Sequence, residues 1–158
     1  MTKKIKTNAL RKLDQQRMSY EIFTYDAGGG IDGITVAAKI GEPVETVYKT
    51  LVTHSGQELF VFVIPVAAEL DLKKAAAAVG VKKLELLPVK ELLSKTGYIR
   101  GGCSPVGMKK QYATVIDTSA EGLAAIIVSA GQIGIQMKIA VTSLLTVVNG
   151  TLKDVIKR

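Results

Sequence analysis

The chain has 158 residues, 47% apolar and only 22% charged, enough apolar surface for the core of one ordinary domain and far too much for a disordered tail protein. Lys and Arg number 21 against 14 Asp and Glu, and the resulting net charge of +7 favours a polyanionic partner, nucleic acid first, over an acidic one. One cysteine, Cys103, and one histidine, His54, exclude an internal disulfide and a Cys-rich zinc centre, so no metal is expected.

The start, Met1-Thr2-Lys3-Lys4-Ile5-Lys6, is basic, but no apolar block of signal-peptide length follows, which predicts a cytoplasmic protein. Residues 122–137 carry no charge, yet Gly131, Gln132, Gly134 and Gln136 make them too polar and too broken to span a bilayer. Thr7 caps a predicted helix with Ala9, Leu10 and Leu13 at helical spacing, followed by a strand at 20–25. Residues 26–33 hold four glycines, the composition of a mobile loop or lid. A short helix at 34–40 ends at Gly41, Pro43 breaks the chain, and 46–54 reads as extended up to the Ser55-Gly56 turn.

Residues 58–65 are almost wholly apolar, the pattern of a strand covered on both faces and central in its sheet. Asp71 opens an Ala-rich helix at 72–79 with Gly80 at its end, 81–87 returns as a strand, and Pro88 starts another helix. A glycine loop at 97–107 precedes extended runs at 113–116, 124–129 and 135–140, the last two forming a hairpin around Gly131-Gln132-Ile133-Gly134. Thr142 and Thr151 are placed as caps of two C-terminal helices, 143–148 and 152–157. The sum is an α+β fold: one domain over residues 1–158, a single mixed sheet of about seven strands with flanking helices.

Three places invite chemistry. In Val47-Tyr48-Lys49-Thr50-Leu51-Val52 the two-residue period puts Lys49 on one face with Val47 and Leu51, and both faces are rather apolar. Such a lysine either snorkels from a sheet edge, a common protective device, or stands as a fixed cation in a polar site. The segment 96–110 packs glycines, the Ser104 hydroxyl and the cations Arg100, Lys109 and Lys110 together, so it is either an anion cradle of backbone N–H groups or a tight surface turn. Its Gly102 to Gly107 spacing starts like a nucleotide P-loop, but Met108 stands where the lysine belongs, which excludes an NTPase. Cys103 is either a thiol nucleophile activated by Arg100 and Lys109 or a small buried thiol; His54, beside a turn, is a poor partner for it. Ser129, closing a strand before Ala130-Gly131, either faces a pocket or bonds its own turn. Three Phe, five Tyr and no Trp do not suit a binder that stacks many successive bases.

Taken together, Tyr48-Lys49-Thr50-Leu51, Leu72-Lys73-Lys74-Ala75-Ala76, Gly97-Tyr98 through Gly101-Gly102, Ser104-Pro105, Gly107 and Lys109-Lys110, and Val128-Ser129 before Gly131 resemble the YbaK/EbsC family of prolyl-tRNA editing proteins over residues 10–147. The resemblance implies a stand-alone enzyme that removes cysteine from mischarged proline tRNA, built like the editing domain of bacterial prolyl-tRNA synthetases. It needs no cofactor, has aminoacyl-tRNA as its partner with prolyl-tRNA synthetase as a further candidate, and touches neither DNA nor membrane. By position, the essential lysine falls on Lys49 with Thr50 beside it, the backbone loop on Gly101 and Gly102, and the polar pocket on Tyr25 and Ser129; Ser104 of the same loop is placed with them as a substrate-binding residue. Lys73, Lys74, Arg100, Lys109 and Lys110 become the cations that meet tRNA phosphates. In Cys-specific members the substrate thiol attacks its own ester carbonyl, which matches the missing base here. The family pattern has His and an aromatic after the Tyr25 position, whereas Asp26 to Asp32 is shorter and glycine-rich. Two rival readings remain at this stage: a thiol-dependent enzyme using Cys103, and a non-catalytic module that binds tRNA or a synthetase.

Overall fold

The Thr7 signal is realised as helix α1 (Asn8–Gln15) in a computed structural model that describes residues 6–28, 30 and 32–158. The Thr7 hydroxyl accepts from the Leu10 N–H at 3.1 Å and donates to the Ala130 carbonyl, so the group that starts the helix also ties it to a distant strand. Ala9, Leu10 and Leu13 form the buried stripe of α1. Strand β1 (Glu21–Thr24) follows, then the glycine-rich loop, of which Gly29 and Ile31 lie outside the described residues, as do Lys3 and Lys4. The Lys39 ammonium gathers the carbonyls of Asp26, Gly28 and Gly30, so the described part of this loop is tied to the next helix.

That helix, α2 (Gly33–Ile40), starts at Asp32, whose carboxylate accepts from the Thr35 N–H, and ends at Gly41 with φ 72°. A 3-10 turn at Val44–Thr46 leads into β2 (Tyr48–Ser55), which a turn at Gly56 (φ 61°) joins to β3 (Glu58–Pro65). Then come α3 (Leu72–Val79), the two-residue β4 (Glu85–Leu86), α4 (Val89–Thr96), β5 (Ala113–Asp117), β6 (Ala125–Gln132), β7 (Ile135–Ala140), α5 (Val141–Val148) and β8 (Thr151–Lys153).

The α+β class holds, but the strands divide between two sheets instead of one: β1-β7-β6 and β4-β2-β3-β5-β8. Two-residue patterning tells which face of a strand is covered, not which strands share a ladder. Among the described residues the sheets meet at one parallel bridge, between Val47 and Ile127. β3 is central in the larger sheet, as its unbroken apolar run predicts: Phe60, Phe62 and Ile64 pack against α3, while Leu59, Val61 and Val63 enter the main core with α1 and the second sheet.

The predicted helix at 152–157 is a correction: Thr151–Lys153 is a strand, parallel to β5. The Asp117 carboxylate, fully buried, accepts from the Ser119 and Val155 N–H groups and so fixes the segment in extended form, a long-range contact that helix periodicity over six residues cannot reveal. Thr142 is likewise not a cap; α5 begins at Val141 with Ala140 before it.

Candidate active site

The junction of the two sheets leaves a gap. Past the Val47–Ile127 bridge the ladders part, and a cavity of about 100 Å³ opens between Tyr48, Lys49 and Thr50 of β2, Ser129 of β6 and Gln136 of β7. Its roof is the start of α2 at Gly33 and Val36, and its far wall is the loop at Gly101 and Cys103. Gly33 is dictated by packing: a Cβ there would clash with Cγ1 of Val66, which also lines the cavity.

β4 reaches β2 only at Thr53 and His54, so β2 has a free edge at Lys49, and that edge is the cavity wall. Lys49 is half-buried and among the described residues has no ion-pair partner; burial lowers its pKa, opposed by the charge of Glu69, which itself pairs with Lys157 at 3.3 Å. The Thr50 hydroxyl beside it is buried with no hydrogen-bond partner among the described residues. An unpaired ammonium and an unsatisfied hydroxyl on adjacent residues are both unfavourable unless something polar enters between them and the opposite wall.

The opposite wall is a braced loop. The Tyr98 hydroxyl donates to the Val106 carbonyl at 2.6 Å, and its ring lies against Gly131, where a Cβ would come within 2.9 Å of Cε1. Gly101 adopts φ 86°, a conformation that favours glycine, and lines the cavity. Among the described residues its N–H has no protein acceptor, and neither does that of Cys103. Gly102 plays another part than the one predicted. Its N–H is taken by the Ile99 carbonyl at 3.0 Å, and a Cβ would fall 2.9 Å from the Ile133 N, so it seats the loop against the β6–β7 turn. Ser104 is a second correction: fully buried, its hydroxyl accepts from the Val106 N–H and does not reach the cavity. In an Ser-Pro turn the hydroxyl is as well placed to bond two residues on as to face a ligand.

The profile of the aminoacyl-tRNA editing domain matches residues 33–147, a span that includes every residue of this cavity. The chain belongs to the aminoacyl-tRNA editing domain family. An editing-domain relative from Enterococcus faecalis, named "Putative Cys-tRNA(Pro)/Cys-tRNA(Cys) deacylase EbsC", is 42% identical over 152 residues, covering 95% of this chain and 93% of its own. Two solved structures share the fold: a "putative trans-editing enzyme for prolyl tRNA synthetase" (TM-score 0.85, 20% identity, 98% of this chain and 100% of that one) and hypothetical protein APE2540 (TM-score 0.86, 18% identity, 96% and 100%).

In this editing domain Cys103 is an unsuitable nucleophile. Burial pushes its thiol up to about 12, and His54 is occupied elsewhere, with Nδ1 at the Gly56 carbonyl and Nε2 3.8 Å from Glu85. Cys103→Ala is therefore expected to keep deacylation within about twofold of the parent, and iodoacetamide at neutral pH to leave the activity intact.

Tyr25 lies outside the inner cavity, with its hydroxyl buried and unpartnered among the described residues and its ring 5.8 Å from the Lys39 ammonium. Ser129 does both things the sequence allowed: it lines the cavity, and its hydroxyl accepts from the Gly131 N–H at 3.2 Å. Of the cations, Arg100 stands at the cavity mouth with an exposed side chain, and Lys109 and Lys110 are exposed farther along the same loop. Lys73 is exposed at the start of α3 and does not line the cavity, whereas Lys74 is spent within the fold, pairing with Asp154 at 3.2 Å and the Ile156 carbonyl at 2.9 Å. Gln136, register partner of Ser129, is the polar wall residue that sequence reasoning missed. Its signal was a single amide between Ile135 and Met137, both of them buried.

Proposed function

We propose that this editing domain is an aminoacyl-tRNA deacylase that clears cysteine from mischarged proline tRNA, with the aminoacyl group held in the cavity at Lys49. The supporting observation is the half-buried, unpaired Lys49 ammonium beside the orphaned Thr50 hydroxyl, in a cavity whose remaining titratable lining groups, the Cys103 thiol and the Tyr48 phenol, are both held protonated by burial. Such a site positions and polarises; it does not abstract protons. The nucleophile must come with the substrate, and cysteine brings one. Its sulfur attacks the ester carbonyl carbon, the bond from that carbon to the ribose oxygen breaks, and the released hydroxyl takes the proton the thiol gives up. Lys49 and the free N–H groups of Gly101 and Cys103 stabilise the carbonyl oxygen as charge gathers on it.

The whole chain serves as one domain in this reading, with Arg100, Lys73, Lys109 and Lys110 offered to phosphates, prolyl-tRNA synthetase as a companion on the tRNA, and the cytoplasm as the place where the substrate is met. Single-turnover deacylation of Cys-tRNA(Pro), Ala-tRNA(Pro) and Pro-tRNA(Pro) tests it: the expected result is rapid loss of cysteine and sparing of proline. Salt-sensitive tRNA binding without turnover would identify a binding module instead.

The pH profile carries its own signature. Lys49 works as a cation, and desolvation lowers its pKa, so the enzyme-dependent rate falls as pH rises through a value below the ordinary lysine range. Stability moves the other way: the folded state holds this proton less tightly than the unfolded chain, so the Lys49 contribution to stability improves as pH climbs through the same range. Rates corrected for spontaneous ester hydrolysis, set beside thermal melts at each pH, check both signs.

A further inference from the structure

We propose that a groove on the outer side of β2 seats the terminal adenosine of the tRNA, the nucleoside whose ribose carries the aminoacyl ester. The groove, about 490 Å³, runs from Thr50, Gly101 and Cys103, all shared with the inner cavity, to Leu86, Pro88 and Val89. The identity of this ligand rests on the deacylase reading.

Covalent geometry limits where the base can go. The ribose holds both the ester and the base, so a substrate with its acyl group in the inner cavity puts the base into whatever opens directly from that cavity. Two openings do. One, of about 620 Å³, lies under the start of α2 and includes the Asp32 carboxylate, an unfavourable neighbour for a polyanionic chain. The other is the groove described, which has no carboxylate in its lining. Arg100 borders both, without an ion-pair partner among the described residues, and is free for the phosphate that precedes the terminal nucleoside.

The groove also has the chemistry of a purine slot. Leu86 and Val89 are 56% and 59% exposed, large apolar surface that the protein itself leaves uncovered on the two sides of Pro88. Its floor is the free edge of β2. The Val52 carbonyl points outward and accepts from the Leu87 N–H at 2.9 Å, and the two-residue alternation turns the Thr50 N–H and C=O to the same side, beyond the end of β4. A strand edge offers one donor beside one acceptor, the pattern that the N1 acceptor and 6-amino donor of adenine match and that a pyrimidine, being smaller, reaches less well. The apolar walls and the paired backbone groups are those of an ordinary nucleoside site, and the volume falls in the range of small-molecule pockets.

Titration of 15N-labelled protein with adenosine 5′-monophosphate tests this without turnover. The amides of Thr50, Val52, Leu87 and Val89 are expected to shift, cytidine 5′-monophosphate to bind more weakly, and Val89→Glu, an exposed change at a helix start that tolerates an acid, to weaken the nucleotide roughly tenfold. In the deacylation assay the same variant should raise KM for Cys-tRNA(Pro) roughly tenfold with kcat within about twofold. Shifts at Asp32 and Ile34 instead, equal binding by Val89→Glu, or no nucleotide binding would overturn the assignment. Shifts at the groove in a parent protein that fails to clear Cys-tRNA(Pro) would support the nucleoside site and overturn the deacylase reading.

Discussion

Replacing Lys49 by methionine is expected to lower the deacylation rate of Cys-tRNA(Pro) by about 10²- to 10³-fold, the size of effect seen when one preorganised charge stabiliser is removed from an acyl-transfer site. The fold should survive. Lys49 is half-buried and has no ion-pair partner among the described residues, so methionine keeps the apolar stem and removes only the unfavourable desolvation of the ammonium. A melting temperature equal to or above that of the parent, together with the lost rate, separates loss of chemistry from loss of structure. Arginine retains the charge but spreads it over a planar fork too wide for a cavity of about 100 Å³, so Lys49→Arg is expected to recover little activity.

Gly102→Ala should act through the opposite wall. The added methyl would lie 2.9 Å from the Ile133 N and 3.1 Å from the Gln132 carbonyl carbon, both backbone atoms of a hairpin turn, so neither side yields without moving its element. About 1–3 kcal/mol of stability is expected to be lost, which for a chain of this size lowers the melting temperature by several degrees. Because the loop that shifts carries Gly101 and Cys103 on the cavity wall, kcat falls as well. Gly122→Ala is the control: a Cβ there meets nothing within 4 Å, and its stability should stay within about 0.5 kcal/mol of the parent.

These two sites show where the sequence was legible. Lys49 announced itself because a charge interrupts a strand whose two faces are otherwise apolar, and period-2 geometry then leaves few places for it. Helix bounds were legible where caps state them, at Thr7, Asp71 and Gly80, since those signals are local. Gly102 and Ser104 were misassigned for the converse reason. A glycine held for close approach of another backbone and a glycine exposing its N–H look alike in sequence, and only the position of the β6–β7 turn decides between them. The same holds for β8, fixed by a buried carboxylate from Asp117 that lies 38 residues away in the chain from the amide it binds. The parting of the two sheets, which creates the cavity, depends on one bridge at Val47 and has no local sequence signature. Gln136 was overlooked because counting back from the turn pairs it with Gly131, and only the bulge between Ser129 and Gln132 brings it opposite Ser129.

The central claim is that the aminoacyl end of the substrate sits between Lys49 and the loop at Gly101. It is tested most directly by a crystal structure with 3′-cysteinylamido-3′-deoxyadenosine, in which an amide replaces the labile ester. The acyl carbonyl oxygen is expected within hydrogen-bond distance of the Lys49 ammonium, with the cysteine side chain enclosed by Thr50, Ser129 and Gln136. An analogue bound anywhere else on the protein, or bound with the Lys49 side chain turned to solvent, would contradict it.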